Sequence, residues 1–515
     1  MILEGPEALT DRARDALDDP FLRKAVRFTV DRLRAGKQRS TEAFGHWEEF
    51  RERGRAIRAH VISHLDHYLD EFARNVEARG QKVHFAADAA EATRIVLAIA
   101  RDKEARLVAK SKSMVSEEVH LNQVLGAEGI ECLETDLGEW IVQLAKETPS
   151  HLILPAIHKN RAQIQTLFEA DRAHVAADPP HADSNLVHAK GADRGEPERL
   201  TRDTAVLAGY ARRRLRERFA RADIGMTGCN FAIADSGSVV LFTNEGNGRM
   251  VTTLPRTHVV LMGMERILPT LADLELMAEL LPRSATGQKL TTYMTILSGA
   301  RRDGELDGAE ELHVVILDNG RSRQLADPAF REVLNCIRCG ACLNVCPVYR
   351  QIGGHAYASV YSGPIGAVLT PLLAHDQPKA RELANASSLC GACFEACPVK
   401  IPLHDLLVRL RQQNAAKTAE FAPERVAYRS FAAVMGHPTL YRALTWLGRH
   451  TFALLRRAIG AERAQRVLAR LPVLRKWARH RSLPVLPATS FRDEWAALAR
   501  EQPSHRSHSG PIHRR

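Results

Sequence analysis

The residues with the clearest chemistry are the cysteines, because seven of the nine lie between residues 336 and 397. Two, two and three residues separate the first four, which are Cys336, Cys339, Cys342 and Cys346, and a proline follows directly. This is the ligand run of bacterial two-cluster ferredoxins, in which the fourth cysteine binds the other cluster. A two-residue spacing lets a tight loop place three thiolates on three irons, while backbone N–H groups near Gly340 stabilise the negative charge of the cluster.

A second cysteine group begins 51 residues after the corresponding position of the first run. It consists of Cys390, Cys393 and Cys397, again followed by a proline. Aligned by that offset, residues 336–348 and 387–399 share seven of thirteen residues. The two segments are therefore an internal duplication, in which Ser387 stands where the first copy has Cys336.

Because the fourth cysteine of each run binds the other cluster, the spacing divides the thiolates into two sets. The first set is Cys336, Cys339, Cys342 and Cys397, and the second is Cys346, Cys390 and Cys393. The second cluster, one thiolate short, is either a three-iron cluster or a four-iron cluster completed by Ser387, by water or by a residue of a partner. Structural zinc also uses such cysteine pairs, but the duplicated run with its prolines favours iron and sulfur.

The elements before the cysteines must fold into a scaffold that carries this segment. Short apolar runs predict strands at 106–110, 130–134, 152–155, 231–234, 239–243, 259–262 and 314–317. Helix-period segments at 115–125 and 137–144 lie between some of them. Alternation of strands and helices predicts an α/β domain with a largely parallel sheet, whose ligands would bind at the carboxyl ends of the strands.

Two loops of this region have side chains that suit an anion. Lys112 lies in a Lys-Ser-Lys-Ser turn between a predicted strand and helix, where ammonium groups and helix amides would suit a carboxylate or phosphate. Glu245 lies in a second loop, 243–249, which is rich in glycine and asparagine. Ordinary polar turns explain both loops equally well. Neither a dinucleotide-binding fingerprint nor a Walker A loop accompanies them.

Composition sets broad limits on the class of protein. With 515 residues, 45% apolar and 26% charged, the chain is typical of a soluble protein of about three domains. These values exclude global disorder, collagen-like repeats and a small disulfide scaffold. The first 30 residues contain no secretory signal pattern, and no uninterrupted apolar stretch predicts a spanning helix. The sequence therefore predicts a cytoplasmic protein.

The net charge of +11 is concentrated near the C-terminus. Between Pro438 and Arg481 there are eleven Arg and Lys residues but only one acidic residue, Glu462. Apolar residues at helical spacing are interleaved with these cations, which suits an acidic partner, the inner face of a membrane, or a solvated face of a bundle. Without a recognition helix or an aromatic platform, the charge does not predict nucleic-acid binding.

The motifs together resemble the lactate utilisation iron–sulfur protein B family. Those that carry the resemblance are GMTGCNFAIADSG (225–237), TNEGN (243–247), CIRCGACLNVCPVYR (336–350), GGHAY (353–357), GPIGAV (363–368) and SLCGACFEACPVKIP (388–402). They are specific and extend over nearly the whole chain. The resemblance implies a LUD domain, similar to the open sheet of sugar isomerases and CoA transferases. It also implies two [4Fe-4S] clusters, the second bound by three cysteines, in a complex that oxidises L-lactate to pyruvate and allows growth on lactate.

These observations predict a specific organisation of the chain. A helical region at 1–60 precedes a LUD-like α/β domain at 61–322, a ferredoxin-type helical domain at 323–410, a basic helical region at 411–500 and a disordered tail at 501–515. The predicted role is electron transfer within an L-lactate dehydrogenase complex, with partner subunits and an acceptor of the respiratory chain. The alternative is an α/β-domain enzyme that acts on lactate, glycolate or a related anion through Lys112 or Glu245, with structural clusters.

Overall fold

The structure is a computed structural model that describes residues 5, 7–177, 199–417, 422–471, 474–475, 478, 481, 487 and 489–501. The chain divides into two compact units, Met1–Ala415 and Ala416–Arg515. Both the predicted sheet and the cysteine segment belong to the first unit, and the finer domain boundaries within it remain a proposal. The predicted tail at 501–515 lies, beyond Glu501, outside the described residues.

A parallel sheet forms the centre of the α/β region, in the strand order β1-β10-β7-β4-β2-β3. Its strands are β1 (Lys82–Ala86), β2 (Leu107–Lys110), β3 (Glu131–Glu134), β4 (Ile224–Thr227), β7 (Thr257–Gly263) and β10 (Glu311–Leu317). Every residue of β7 is buried, as expected for a central strand covered on both faces. The predicted open, largely parallel α/β sheet is thus confirmed.

A smaller mixed sheet, which the sequence patterns did not predict, has the order β8-β5-β6-β9. It contains β5 (Phe231–Ile233), β6 (Ser238–Thr243), β8 (Ile267–Leu268) and β9 (Tyr293–Leu297). Strand β6 pairs antiparallel with both β5 and β9, while β5 and β8 are parallel. The hairpin of β5 and β6 carries the glycine-rich 243–249 loop at its end, next to the parallel sheet.

Helices surround these sheets and precede them. The N-terminal helices are α1 (Leu9–Asp18), α2 (Pro20–Glu42), α3 (Trp47–Ser63) and α4 (Leu65–Glu77). Those of the α/β region are α5 (Ala89–Asp102), α6 (Met114–Glu118), α7 (Leu121–Ala127), α8 (Leu137–Leu144), α9 (Arg161–Ala177), α10 (Thr204–Arg221), α11 (Asn247–Thr253), α12 (Leu271–Ala285) and α13 (Arg321–Ala326). The helix predicted at 115–125 is split into α6 and α7, because His120 adopts a left-handed conformation with φ 52°.

The strand predicted at 152–155 is wrong, because this segment forms a loop. The ring nitrogen Nδ1 of His151 accepts hydrogen bonds from the backbone N–H groups of Ile153 and Leu154, at 3.1 and 3.2 Å. Leu152 is buried against the cysteine segment rather than in a sheet. The apolar run is therefore a packing surface, which periodicity cannot distinguish from a short buried strand.

The cysteine segment is built from short helices that share one core with the N-terminal helices. They are α14 (Ala341–Val345), α15 (Tyr349–Ile352), α16 (Gly363–Leu373), α17 (Ala392–Ala396) and α18 (Leu403–Lys417). Val26 and Val30 of α2 lie in the same apolar cluster as Leu343 and Tyr349. The cysteine loops are consequently held by the N-terminal helices as well as by the sheet.

A buried ionic network joins the α/β sheet to the first cysteine loop. Glu118 accepts hydrogen bonds from both terminal nitrogens of Arg321, at 2.9 and 2.8 Å, and from the hydroxyl of Tyr361 at 2.5 Å. Glu265 accepts from Arg321 Nε at 2.7 Å and from Arg338 Nη2 at 3.1 Å. Burial alone would raise the pKa of Glu118, but the Arg321 guanidinium holds it below its ordinary value. The network fixes Arg338, in the loop between Cys336 and Cys339, against the sheet.

The C-terminal unit is helical where it is described, with α19 (Ala422–Gly436), α20 (Pro438–Ile459), α21 (Ala461–Arg470) and α22 (Phe491–Glu501). Several large apolar side chains of these helices are exposed, among them Phe431, Trp446, Leu454 and Trp495. Within the described part of the chain, no helix combines the length and apolar character needed to cross a membrane.

Candidate metal centre

The two cysteine loops have the same backbone conformation. Arg338 and Leu389, at equivalent positions, have positive φ values of 60° and 56°, and Gly340 and Gly391 have φ values of 72° and 80°. Each glycine directly precedes a short helix, α14 or α17. The duplication in sequence is therefore also a duplication in structure, and glycine adopts the left-handed conformation at positions 340 and 391 with less strain than a residue with a side chain.

Ser387 takes the place of Cys336 in the second loop. Cys336 Sγ accepts a hydrogen bond from the backbone N–H of Arg338 at 3.4 Å, and Ser387 Oγ accepts one from the N–H of Leu389 at 3.1 Å. The same turn thus presents a thiol in one copy and a hydroxyl in the other.

The first cavity is lined by Cys336, Cys339, Cys342 and Cys397. Apolar residues make up most of the remaining wall, namely Leu152, Ile337, Ile365, Pro398, Val399, Ile401 and Leu403. The structure therefore brings together the four cysteines that the spacing assigns to cluster one. Cys397 comes from the second copy, as the crossed pattern requires.

The second cavity is lined by Cys346, Cys390 and Cys393. Ser387 and His404 also line it. Cys390 is exposed, whereas all the cysteines of the first cavity except Cys336 are buried. The second cavity is thus the one closer to solvent, and it contains the three cysteines assigned to cluster two.

The thiols of both cavities fit iron–sulfur clusters. Burial and the neighbouring Cys397 raise the pKa of Cys339 to about 12, and burial with Cys346 raises the pKa of Cys393 to about 12. Burial thus favours neutral thiols at these positions, whereas metal coordination deprotonates a thiol outright. Backbone N–H groups point at three of the sulfurs, from Arg338 to Cys336, from Tyr349 to Cys346 and from Ile401 to Cys397, as expected around a negatively charged cluster.

Cations of the N-terminal helices surround the first cavity. Arg51 donates hydrogen bonds to the carbonyl oxygens of Cys397 at 2.9 Å and Phe394 at 3.0 Å. The Lys37 ammonium donates to the carbonyl oxygen of Ala396. Burial lowers the pKa of Lys37, while the thiolates of Cys339 and Cys397 oppose that shift. Positive charge so close to a cluster favours its reduced form.

We expect Lys37→Met to lower the reduction potential of cluster one by about 100 mV, the size of one lost charge interaction at an effective dielectric constant of about 20. A spectroelectrochemical titration of the purified protein measures this shift. Lys24→Met, which removes an exposed charge from the same helix, is the matched control and should leave the potential unchanged. Equal potentials in the two variants would contradict the electrostatic role of Lys37.

The two anion-suited loops predicted from the sequence lie close together. Lys112 Nζ is 3.3 Å from Glu139 Oε1, and the Glu139 side chain is buried. Glu245 Oε2 accepts a hydrogen bond from the backbone N–H of Leu137 at 3.3 Å. Burial, with a contribution from Asp136, raises the pKa of Glu245. Both predicted residues therefore converge on the N-terminal end of α8. The sequence analysis did not single out Glu139, because an acidic residue three positions after the N-cap Asp136 is also typical of an ordinary helix start.

His151 lies between this polar site and the first cavity. Its Nε2 is 3.1 Å from Asn344 Oδ1 in α14, and a Cβ added to Gly340 would lie 3.5 Å from its Cε1 atom. Burial lowers the pKa of His151 to about 4, and the Lys112 charge adds to this effect. No pattern in the sequence singled out His151.

A separate group of possible ligands consists of Glu147, His158 and His355. His158 Nε2 is 2.6 Å from Glu147 Oε2, and Lys159 is also paired with Glu147. Because Lys159 already neutralises this carboxylate, the group is explained as an ionic cluster and needs no metal ion.

Comparison with known proteins matches three segments of the chain to families. Residues 69–317 match the LUD domain, 332–401 the 4Fe-4S dicluster domain, and 408–499 the C-terminal domain of lactate utilisation protein B. The chain is 47% identical over 442 residues to the lactate utilization protein B of Bacillus velezensis, covering 85% of this chain and 87% of that protein. It is 44% identical over 481 residues to the uncharacterized electron transport protein YkgF of Escherichia coli K12, covering 93% and 94%. A crystal structure of a DUF162 family protein from Deinococcus radiodurans matches with a TM-score of 0.25 and 14% identity, over 49% of this chain and 98% of that one.

Proposed function

The chain belongs to the lactate utilization protein B family, and we propose that it is the iron–sulfur electron-transfer component of a complex that oxidises L-lactate to pyruvate. The observation that carries this proposal is the pair of neighbouring cysteine cavities, one buried and one near the surface. Iron–sulfur clusters carry single electrons, and oxidation of lactate to pyruvate releases two. Two clusters in one subunit suit that stoichiometry.

We assign the ligands of the two clusters by cavity. Cys336, Cys339, Cys342 and Cys397 hold the first, and Cys346, Cys390 and Cys393 hold the second. The two sets are near neighbours, since Cys393 contributes to the raised pKa of Cys342. The exposed position of Cys390 supports the second cavity as the point where electrons pass to or from a partner.

A second candidate function is lactate oxidation within the α/β domain itself. The convergence of Lys112, Glu139 and Glu245 at the start of α8, with His151 between them and the first cavity, favours it. The Lys112 ammonium suits the carboxylate of a small 2-hydroxy acid such as lactate or glycolate. The raised pKa of Glu245 suits a carboxyl group that exchanges a proton. In this arrangement the chain would be the catalytic subunit as well as the electron carrier.

The partners that this function requires are the other subunits of the complex and an acceptor of the respiratory chain. The exposed apolar residues and the arginines of α19–α21 suit peripheral contact at the inner face of the cytoplasmic membrane, which agrees with a cytoplasmic protein. This basic surface is not proposed to bind nucleic acid.

Anaerobic addition of L-lactate to the cluster-loaded protein tests the proposal. We expect the visible absorption of the clusters to bleach when the co-purifying subunits are present and to stay unchanged in the chain alone. Bleaching in the chain alone would move the oxidation site to Lys112, Glu139 and Glu245. Absence of bleaching in both samples would contradict lactate as the electron donor. Glycolate added to the same samples would then show whether a related 2-hydroxy acid is the donor.

A further inference from the structure

The second cavity offers a nitrogen ligand that the cysteine pattern did not indicate. His404, at the start of α18, lines this cavity together with Cys346, Cys390 and Cys393. Its Nδ1 atom is buried and has no hydrogen-bond partner among the described residues. A buried polar atom without a partner is costly and needs an explanation such as a metal ion.

The other nitrogen of the His404 ring has a carboxylate neighbour. Nε2 lies 3.5 Å from Asp405 Oδ1. Metal-binding histidines typically present one ring nitrogen to the metal and the other to a carboxylate, which fixes the tautomer with the proton on the outer nitrogen. The ring of Phe394 lies next to the imidazole, with 5.6 Å between the ring centroids. Nδ1, which has no hydrogen-bond partner among the described residues, is thus the ring nitrogen available to coordinate a metal.

Ser387 is the competing ligand, since it occupies the position of Cys336. Its Oγ accepts a hydrogen bond from the N–H of Leu389, as Cys336 Sγ does from the N–H of Arg338, so this hydrogen bond does not by itself exclude Ser387 as a ligand. A neutral hydroxyl is a poor ligand for iron bridged by sulfide, whereas imidazole replaces cysteine in known iron–sulfur centres. The serine oxygen also lies closer to the backbone than a cysteine sulfur would, because a C–O bond is shorter than a C–S bond.

We propose that His404 Nδ1 is the fourth protein ligand of the second cluster, which is therefore a four-iron cluster bound by three thiolates and one imidazole. This inference rests on the cluster assignment of the proposed function, not on the identity of the electron donor. Because imidazole is neutral, the cluster carries one negative charge fewer than it would with four thiolates. Its reduction potential is consequently higher than that of an all-cysteine cluster in the same cavity.

The test is spectroscopic and uses the full chain, cluster-loaded under anaerobic conditions with ¹⁵N-labelled histidine. Pulsed EPR of the reduced protein should show strong ¹⁵N coupling from one directly bound nitrogen. His404→Ala should abolish this coupling, and the second cluster should convert to the three-iron form on mild oxidation, with one iron fewer per chain. Ser387→Ala is the matched control and should retain both the coupling and the four-iron form.

Cluster one serves as the internal control for folding, because its signal should be the same in all three proteins. Coupling that persists in His404→Ala, or that is absent from the unsubstituted protein, would overturn the proposal. Loss of the fourth iron in Ser387→Ala but not in His404→Ala would assign the ligand to serine instead. None of these readouts depends on lactate, so failure here and failure of the lactate bleaching experiment are distinguishable.

Discussion

Cys342→Ala is expected to abolish lactate-dependent growth and to remove the signal of cluster one while the α/β sheet stays folded. Cys342 is buried in α14 and lines the first cavity with Cys336, Cys339 and Cys397. A methyl group cannot replace the thiolate, so one iron loses its protein ligand. Removal of this thiolate should interrupt electron flow whichever subunit oxidises lactate, because in both candidate functions the electrons pass through the clusters of this chain.

Growth on lactate and on glucose, in a host whose lactate growth depends on this chain, measures the functional loss. EPR and iron content of the purified variant measure the cluster, and circular dichroism reports on the fold. Cys132→Ala is the matched control, since Cys132 is also a buried cysteine but lies in β3, outside both cavities. Normal lactate growth of Cys342→Ala would refute the electron-transfer role, and equal loss in Cys132→Ala would point to general destabilisation.

Arg321→Met is expected to lower the free energy of unfolding of the first unit by about 3–5 kcal/mol, the usual effect of breaking a buried ion pair. Arg321 is fully buried and bonds both Glu118 and Glu265. Without it, Glu118 keeps only neutral hydrogen-bond donors, Asn319 and Tyr361. Glu118 then either stays charged, at a high cost in free energy, or takes up a proton. The decrease in the free energy of unfolding should therefore be smaller at low pH.

Thermal unfolding of the purified protein at pH 7 and pH 5 checks this expectation. Arg256→Met removes the same side chain from a surface site, where Arg256 is 3.8 Å from Glu310 and 85% exposed, and should change the stability by less than about 1 kcal/mol. Similar Tm values for the two variants would contradict the role of the network. Loss of the clusters at a lower temperature in Arg321→Met would show that the network also stabilises the first cysteine loop, through Arg338.

The sequence established the cysteine chemistry because that information is local. A 2-2-3 spacing followed by proline determines which thiolates a tight loop can present, and the offset of 51 residues shows the duplication without any knowledge of the fold. Strand–helix alternation likewise predicted the parallel sheet, since a period of two or 3.6 residues is a property of neighbouring residues. Strands β1, β4, β8 and β9 were missed, because short runs of mixed composition have no clear period.

Tertiary packing decided everything that depends on residues far apart in the chain. Leu152 belongs to an apolar run typical of a strand, yet it lines the first cavity, because the cysteine segment and not a neighbouring strand covers it. The pairing of Lys112 with Glu139, and of Glu118 with Arg321, follows from the order of parallel strands and not from sequence distance. His404 has no counterpart in the first cysteine loop, and only the folding of α18 against the second loop brings its imidazole to the three thiolates. Spacing thus predicted which thiols share a cavity, whereas burial and long-range contacts determined the charges and the other side chains around them.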